Sequence, residues 1–279
     1  MNYIIYNSLA IAQKNNRGVK KLYKKLTKND VNSTYLLALN EIEGKETSFV
    51  NQLSSDDVIY FCGGDLDLDS FINKISEANP KCKIYYYTYK ANSDFAKAYK
   101  GKLLIDISDQ SKWPKLIING VEKYSFINCC GMGYDAAVCR SKIQYAMSGN
   151  KKGYFSITYN IIKSYRFFSI DGVIDGKEIH YDDIWFFSFN NGKYFGDGMK
   201  VAPKEDIEAD DLSFVIVHGA SKLKILLIFP LVYFGLHTKF KKYVDVIKCK
   251  KAHIKPDGCM LLQRDGLALD YVMEIDVSR

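Results

Sequence analysis

The stretch that decides the fold is Val58-Ile-Tyr-Phe-Cys62, followed by Gly63-Gly64-Asp65 and by an amphipathic run that begins near Asp67. The apolar, β-branched and aromatic run is typical of a buried strand. The glycines allow a sharp turn, and the run that follows predicts a helix. Because a helix N-terminus offers free N–H groups, this arrangement can bind an anion. On its own, however, the stretch favours a simple βα turn whose glycines serve only the geometry.

The same strand-helix alternation recurs through the first part of the chain. Repeated βα units predict an N-terminal α/β domain, residues 1–110, with a parallel, doubly wound sheet. Such sheets bind ligands beyond the carboxyl ends of their strands, so we expect Asn7, Gly63–Asp65 and Thr88–Asp94 to lie at that edge. The predicted strands are Tyr3–Tyr6, Thr34–Leu39, Val58–Cys62, Lys83–Thr88 and Leu103–Ile107.

The pattern changes near residue 110, where strands begin to outnumber helices. Residues 111–279 therefore predict an antiparallel, β-rich, β-sandwich-like second domain. It contains a hairpin at Asn119-Gly120, a glycine-rich turn at Gly131-Met-Gly133, and helices at Tyr154–Phe168 and Leu223–Leu236. The remaining strands are predicted at Lys115–Asn119, Lys123–Cys130, Ser169–Ile174, Lys177–Tyr181, Ile184–Asn190, Leu212–Val217, Val244–Cys249, Met260–Gln263 and Tyr271–Val277.

The apolar Leu223–Leu236 helix has two interpretations. Its composition favours a place in the core. Lysines 239, 241 and 242 follow it directly, however, and leave open a contact with a membrane surface.

The amino-acid composition limits the classes of partner that this protein is expected to bind. The 279 residues carry a formal charge of +7, almost all of it from lysine. Lysine lacks the planar fork of arginine, so a diffusely basic surface that can face anionic lipid is favoured over a sequence-specific nucleic-acid-binding protein.

Seven scattered cysteines without a Cys-x-x-Cys pair predict free thiols in a reducing cytosol. No apolar run reaches the ~18 residues of a membrane span, and the N-terminus does not resemble a signal peptide. The expected location is cytoplasmic, with peripheral contact at the inner membrane face left open.

Six stretches follow one another in an order that matches a known family. Through them the chain resembles the diacylglycerol kinase catalytic-domain family, which includes bacterial lipid kinases and sphingosine kinases. Each stretch alone is a weak signal, but six in order over nearly the whole chain are specific for the fold. They are Gly63-Gly64-Asp65-Leu66-Asp67, Lys90–Lys97, Asn128–Ala136, Gly196–Pro203, Asp206–Leu212 and Asp265-Gly266-Leu267.

The resemblance implies a function and a set of site residues. It implies ATP-dependent transfer of the γ-phosphate to a lipid hydroxyl such as that of diacylglycerol, with ATP and lipid meeting between the two domains. It implies Asp265 as the general base, a C-terminal strand that returns towards the first domain, and Mg²⁺ at the phosphates. It also implies that the loop with Asp206, Asp210 and Asp211 can bind a structural Mg²⁺ through its carbonyls, although these aspartates could instead belong to a solvated loop. The implied nucleotide-binding residues are Asn7, Gly63, Gly64, Asp65, Asp67, Asn92 and Asp94.

The departures from the family pattern fall on the chemistry. The family's Gly-Gly-Asp-Gly-Thr has Leu66 in place of its third glycine and Asp67 in place of its threonine, and the family's Asp-Gly-Glu ends here in Leu267. Leu66 adds a Cβ, and Asp67 brings a negative charge, although it could cap a helix or bind Mg²⁺. Asp265 could equally be an ordinary turn residue, with Asp270 as a substitute for the missing glutamate.

Three functions therefore remain open. The first is the lipid kinase. The second is a degenerate, non-catalytic protein of the same fold that binds a nucleotide or a lipid. The third is a kinase that acts on another small hydroxylated substrate, because a fold alone does not fix the acceptor.

Overall fold

The chain divides into two compact units, Met1–Lys112 and Trp113–Arg279. A five-stranded sheet organises the first unit and an 11-stranded sheet the second. Within the described residues, no helix is long and apolar enough to cross a bilayer. The computed structural model describes residues 1–7, 16–28, 33–88, 93–147 and 160–279.

The first unit has the predicted α/β sheet, in the order β2-β1-β3-β4-β5. The predicted parallel sheet is confirmed for the first four strands, and only β5 at the edge of this sheet runs antiparallel to its neighbour, β4. The helix before β5 has only five residues and spans roughly 8 Å, about half the length of a five-residue strand. It therefore returns the chain only part of the way to the opposite edge. The strands are β1 (Asn2–Tyr6), β2 (Thr34–Ala38), β3 (Val58–Cys62), β4 (Lys83–Tyr87) and β5 (Leu104–Asp106).

Helices cover the strands of the first unit and bury an apolar core. Leu68, Phe71 and Ile72 form the buried face of the helix after β3, and the Phe71 ring stacks on Phe61 of β3 at 4.6 Å between centroids. This packing fixes the start of that helix at the carboxyl end of β3. The helices are α1 (Asn16–Leu26), α2 (Glu46–Gln52), α3 (Asp65–Lys74) and α4 (Asp94–Ala98).

The second unit is the predicted antiparallel β-rich body. Its main strand order is β15-β14-β8-β10-β9-β13-β16-β6-β7, and β11 joins β10 to β12. The last strand, β16, pairs with β13 and β6, both in this unit. The strands are β6 (Lys115–Ile118), β7 (Glu122–Ser125), β8 (Cys129–Gly133), β9 (Phe168–Ile174), β10 (Lys177–Asn190), β11 (Leu212–His218), β12 (Val244–Cys249), β13 (Lys251–Pro256), β14 (Met260–Arg264), β15 (Leu267–Val272) and β16 (Ile275–Ser278).

Several strand predictions need correction. The two strands predicted between residues 177 and 190 form one long strand, β10, whose register shifts around Asp183, a residue with φ of +51°. Such an irregularity bends a strand without ending it. Strands β13 and β15 were not predicted. The hairpin at Asn119-Gly120 is confirmed, with both residues at positive φ.

The glycine-rich stretch at residues 131–133 is a buried strand and not the predicted turn. Strand β10 passes so close that a Cβ at Gly131 would lie 2.1 Å from the Phe187 carbonyl oxygen. A Cβ at Gly133 would lie 2.5 Å from the Trp185 carbonyl oxygen. The glycines are therefore required for close packing of the two strands.

The core of the second unit is aromatic and aliphatic. Phe187 and Phe189 of β10 pack on Phe214 of β11, with centroids 5.6 and 4.8 Å from Phe214. All three rings are fully buried. Removal of such a ring typically costs ~3–5 kcal/mol, so this cluster accounts for a large part of the stability of the sheet.

The helices of the second unit are shorter than predicted. The predicted Leu223–Leu236 helix ends at Ile228 and continues as 3₁₀ turns, because Pro230 has no N–H to donate within an α-helix. Residues 154–159 of the predicted Tyr154–Phe168 helix lie outside the described residues, and Phe168 already begins β9. The helical segments are α5 (Tyr134–Met147), residues 160–164, α6 (Lys222–Ile228) and the 3₁₀ turns Phe229–Phe234 and His237–Lys239.

The seven cysteines are free thiols, as predicted. Six are buried, and Cys259 is exposed. Burial raises the pKa of the Cys62, Cys139 and Cys249 thiols to about 12, so these thiols stay protonated.

Candidate functional site

The turn after β3 begins the candidate nucleotide site of the first unit. Helix α3 begins at Asp65, two residues earlier than the sequence suggested, and Gly64 precedes it with extended backbone. Leu66 therefore lies in the first helical turn, with its side chain half exposed. Its Cβ introduces no backbone strain there, because a helical residue has negative φ.

Asp67 folds back over this turn. One of its carboxylate oxygens accepts the Gly64 N–H at 2.9 Å, and the other accepts the Asn7 side-chain amide at 2.8 Å. A Cβ at Gly63 would lie 2.8 Å from the Asp67 Cβ, so glycine is needed for this approach. An acid at the third position of a helix commonly caps the N-terminus in this way. The anion-binding N–H of the turn is therefore already bonded to the chain's own carboxylate.

Asp65 joins this turn to the next helix. Its carboxylate accepts the N–H groups of Asp94 at 2.9 Å and Phe95 at 3.2 Å, the first two residues of α4. Burial raises the pKa of the Asp65 carboxyl, and these N–H groups partly oppose the shift. Two helix N-termini thus meet at the carboxyl edge of the sheet, as the sequence predicted for residues 63–65 and 94.

Hydroxyl groups complete the connection between the two turns. Ser93 caps α4 by accepting the Ala96 N–H at 3.0 Å. The Tyr86 hydroxyl donates to the Gly63 carbonyl at 3.0 Å and lies 3.2 Å from the Ser93 hydroxyl. Asp94 itself is buried and pairs with Lys97 at 3.1 Å. Asn92, also expected in the site, lies outside the described residues.

In the second unit, Asp265 serves as an anchor for the backbone. It follows β14 with φ of +48°, and it is buried. Its carboxylate accepts the N–H groups of Ile127 at 2.6 Å, Asn128 at 2.8 Å and Cys129 at 3.0 Å. Three of its about four lone-pair positions are thus used, so the carboxylate fixes the start of β8 and has little capacity left to take a proton.

Asp270, the possible substitute for the missing glutamate, pairs with Arg140 of α5 at 2.7 Å. This ion pair ties β15 to α5, and both side chains are partly exposed. Asp270 is thus accounted for as a surface ion-pair partner.

Asp135 is a candidate that the sequence reasoning missed. It lies in the first turn of α5, directly after the buried strand β8. Burial raises the pKa of its carboxyl to about 7, and the nearby Gln263 amide and the N–H groups of Ala136 and Asp135 oppose the shift only in part. Neither carboxyl oxygen of Asp135 has a hydrogen-bond partner of suitable geometry in the part of the chain that the structure describes. A buried acid that titrates near neutrality marks a candidate functional residue.

Tyr165 lies near enough to Asp135 for the charge of this carboxyl to act on its hydroxyl. Tyr165 stacks on Trp185, with centroids 5.3 Å apart, and Tyr134 packs edge-on against both. The Tyr165 hydroxyl is buried and makes no hydrogen bond to any described residue. Burial raises the pKa of this phenol, and the charge of Asp135 adds to the effect. Two neighbouring polar groups, the Asp135 carboxyl and the Tyr165 hydroxyl, therefore lack a hydrogen-bond partner among the described residues, which favours a polar ligand.

The acidic loop at residues 205–211 is arranged around a lysine. The Lys248 ammonium lies 2.7 Å from the buried Glu205 carboxylate and 2.7 Å from Asp211. Asp206 accepts the Glu208 N–H at 3.2 Å, and Asp210 is exposed. Within the described ranges, no group of three or more His, Cys, Asp or Glu side chains is arranged to hold a metal. The side chains of Asp206, Asp210 and Asp211 are therefore not grouped as metal ligands, and Mg²⁺ held through the carbonyls of this loop stays a prediction.

Comparison with known proteins identifies the family. Residues 128–273 match the model of the YegS C-terminal NAD kinase beta sandwich-like domain. The chain belongs to this family, and its resemblance to diacylglycerol kinase-like proteins is confirmed.

Individual relatives agree with the assignment. The chain is 24% identical over 157 residues to a diacylglycerol kinase of Mycobacterium tuberculosis, covering 56% of this chain and 50% of the relative. It thus spans about half the length of that relative. It is 20% identical over 263 residues to YtlR of Bacillus subtilis (strain 168), provisionally named a lipid kinase, covering 85% and 84% of the two chains.

A solved structure shows the same fold. A Bacillus anthracis str. Sterne protein, provisionally named a diacylglycerol kinase, superposes with a TM-score of 0.68 at 17% identity, covering all of this chain and 92% of the other. The likeness establishes the combination of an α/β unit with an antiparallel β-rich unit.

Proposed function

We propose that this protein is an ATP-dependent kinase that transfers the γ-phosphate to the hydroxyl of a lipid such as diacylglycerol. Family membership and the names of the relatives support the reaction class. The observation that carries the proposal is Asp135, a partly buried residue whose two carboxyl oxygens are inaccessible and have no described hydrogen-bond partner, and whose pKa is raised to about 7. Such a group is suited to accept a hydrogen bond, and then a proton, from an alcohol.

Phosphoryl transfer requires little covalent chemistry from the side chains of the protein. The bond between the γ-phosphorus and the leaving ADP oxygen breaks, and a bond to the lipid oxygen forms. The hydroxyl proton passes to the Asp135 carboxylate, which is about half ionised near neutral pH because its pKa is about 7. Catalysis by positioning and charge neutralisation is typical of phosphoryl transfer. Tyr165, next to Asp135, is the second group proposed to orient the acceptor.

Asp265 was expected to be the base, but its geometry supports a positioning role. Its three N–H bonds hold residues 127–129, which lead into β8 and from there to Asp135. We therefore assign to Asp265 the placement of the β8 to α5 junction and to Asp135 the contact with the acceptor.

For the nucleotide, the first unit supplies a helix N-terminus and oxygen ligands. The N-terminus of α3 suits phosphate oxygens, whereas the first N–H groups of α4 are already bonded to Asp65 and Ser93. Carboxylates such as Asp67 are the ligand type that Mg²⁺ prefers. Mg²⁺ accompanying ATP would neutralise phosphate charge. One feature opposes the fit, since the Gly64 N–H is bonded to Asp67 and a phosphate would have to displace that carboxylate.

That same feature favours a second candidate function. A protein whose glycine-turn N–H is satisfied internally could bind lipid through the β-rich unit without turning over ATP. The two functions differ in whether phosphate is transferred at all.

The deciding experiment is transfer of labelled phosphate from ATP and Mg²⁺ to lipids in mixed micelles, with NAD as a non-lipid acceptor. We expect label on a lipid hydroxyl. Asp135→Asn should lower turnover by roughly 10²–10⁴-fold, whereas the exposed Glu178→Gln should leave it unchanged. A folded sample that labels no acceptor would establish the non-catalytic function, and labelled NAD would redirect the proposal to dinucleotides.

A further inference from the structure

The segment from Lys222 to Tyr243, which contains α6 and the two 3₁₀ turns after it, presents apolar side chains outward. Leu223 and Leu227 are each 69% exposed, and Phe234 is 71% exposed. Surface helices normally place polar residues on this side. Four more large apolar residues of the segment are exposed to about two-fifths of their surface: Leu226, Tyr233, Leu236 and Phe240.

The segment is firmly attached to the β-rich unit by its other side. Ile225 and Val232 are buried in a core cluster, and Ile228 is buried as well. The Lys200 N–H donates to the Val232 carbonyl at 3.1 Å, and the buried His237 ring lies 3.0 Å from the Val201 carbonyl oxygen. The outward apolar side chains are thus held in place by the fold rather than left by a loosely attached helix.

Positive charge without compensation accompanies these side chains. Between Gly219 and Tyr243 the sequence has no aspartate or glutamate. Among the described residues, none of the segment's lysines forms an ion pair with a carboxylate, although Lys224 and Lys242 lie 4.8 and 5.9 Å from the centre of the Tyr243 ring. The lysines are Lys222, Lys224, Lys239, Lys241 and Lys242.

We propose that the 222–243 segment binds the surface of a bilayer that contains anionic lipid. Leucine and phenylalanine side chains enter the boundary between headgroups and acyl chains, while lysines extend to the phosphates. A second copy of this chain would bring five lysines against five lysines, and like charge opposes that association. The proposal goes beyond phosphate transfer, because the surface would bind lipid whether or not the chain is a kinase.

The expected strength follows from the two contributions. Three lysines near an anionic surface together strengthen binding about 100-fold, and this part weakens as salt rises. Full burial of one leucine and one phenylalanine contributes about another 100-fold or more. Vesicles of phosphatidylcholine alone should therefore bind much more weakly than vesicles that also contain phosphatidylglycerol.

The test is flotation of the full chain with these two kinds of vesicle, without ATP or Mg²⁺. We expect binding to the anionic vesicles that falls about 100-fold in a triple variant with Lys239, Lys241 and Lys242 changed to Gln. Leu227→Ser combined with Phe234→Ser should lower it by a similar factor even at low salt. Both sets of side chains point away from the core, so folding is preserved and a thermal melt checks it.

Matched controls come from the rest of the same unit. Val121→Ser removes an apolar side chain that is 77% exposed at the β6–β7 hairpin, and the exposed lysines 123, 177 and 255 can be changed to Gln together. Neither control should alter flotation. If the parent protein ignores anionic vesicles, or if the controls weaken binding as much as the segment variants, the proposal is overturned.

Two further outcomes have definite meanings. A dimer that Leu227→Ser and Phe234→Ser dissociate in the absence of lipid would identify the segment as a self-interface and overturn the proposal. A variant that no longer floats but still phosphorylates a water-soluble, short-chain acceptor would support it. Such a variant also separates loss of docking from loss of the proposed activity.

Discussion

The turn at Gly63–Asp67 and the start of α5 both place carboxylates beside glycine-rich backbone. The two regions differ in whether these carboxylates accept hydrogen bonds from the chain. At the turn, Asp65 and Asp67 accept N–H groups from the chain itself. At the start of α5, the carboxyl oxygens of Asp135 are inaccessible and make no hydrogen bond to a described residue. A phosphate that binds in the first region must compete with the carboxylate of Asp67 for the Gly64 N–H. A hydroxyl donor in the second region would supply the hydrogen bond that Asp135 lacks.

This difference has an energetic consequence. A satisfied carboxylate stabilises the fold, and removing it exposes its donors at a cost of ~1–3 kcal/mol each. An unsatisfied buried acid lowers stability whenever it is charged. The four predictions below use that contrast, from the largest expected effect to the smallest.

The pH dependence of stability should reveal Asp135. Its pKa is 3.8 in the unfolded chain and about 7 in the folded protein, so the folded state holds an extra proton between these values. The free energy of unfolding should therefore fall by about 4 kcal/mol as pH rises from about 4 to about 7, and level off above that. Urea titrations across this range measure it. Asp135→Asn should remove most of this slope and leave the part that comes from Asp65, whose pKa burial also raises. An equal slope in the variant would assign the titration to another group.

Asp265→Asn should destabilise the protein by about 3 kcal/mol. The amide keeps the size and tolerates positive φ, but its NH₂ would face backbone N–H donors that now bond to a carboxylate. Urea unfolding measures the loss.

Asp257→Asn is the matched control for Asp265→Asn, because Asp257 also precedes a glycine but is exposed. It should change stability by less than about 0.5 kcal/mol. An Asp265→Asn protein that is fully stable but inactive would restore Asp265 as the base.

Asp67→Thr should raise ATP affinity about tenfold. A unit charge ~4 Å from a phosphate charge costs ~4 kcal/mol at an effective dielectric of ~20, and partial exposure reduces this. Calorimetry with Mg²⁺ and ATP measures the change. Leu66→Gly is the control, since Leu66 is already helical and its removal should bring no gain. If Asp67→Thr weakens ATP binding, Asp67 is a ligand, most simply of Mg²⁺.

Ser93→Ala should cost about 1 kcal/mol, because it removes the cap of the helix that Asp65 contacts. Ser221 is the comparable cap of α6, where the accepted N–H is 3.4 Å away instead of 3.0 Å. Ser221→Ala should therefore cost less. Thermal melts of both variants measure the difference, and equal losses would show that the Asp65 connection adds nothing to this cap.

The two-part fold could be predicted from periodicity because the strands at residues 58–62 and 212–217 are short, apolar and bounded by turn residues. Strands β13 and β15 escaped because lysine, histidine, aspartate and tyrosine interrupt their apolar pattern. They are defined by their pairing, of β13 with β9 and β16 and of β15 with β14. The direction of β5 also escaped, since it depends on how far a short helix carries the chain.

The site was harder to predict than the fold. The partner of Asp67 is Asn7, 60 residues away, and nothing local indicates that bond. Asp135 was visible within the Asn128–Ala136 motif, but the groups that interact with it include Tyr165 and Gln263, which lie elsewhere in the sequence. The signal available in the sequence was an acidic residue that closely follows the glycine-rich stretch Gly131-Met-Gly133. For Asp265, the following glycine suggested an exposed carboxylate, whereas the carboxylate turns inward to residues 127–129.

The buried cysteines allow local opening of the folded protein to be measured through their reaction with an alkylating reagent. A protonated, inaccessible thiol reacts with an alkylating reagent only when the surrounding structure opens, so its labelling rate measures that opening. Cys62 and Cys82 lie in the first unit, and Cys129, Cys130, Cys139 and Cys249 lie in the second. Mass spectrometry of timed alkylation would follow the two units separately in one sample, with exposed Cys259 as the internal standard for reagent activity.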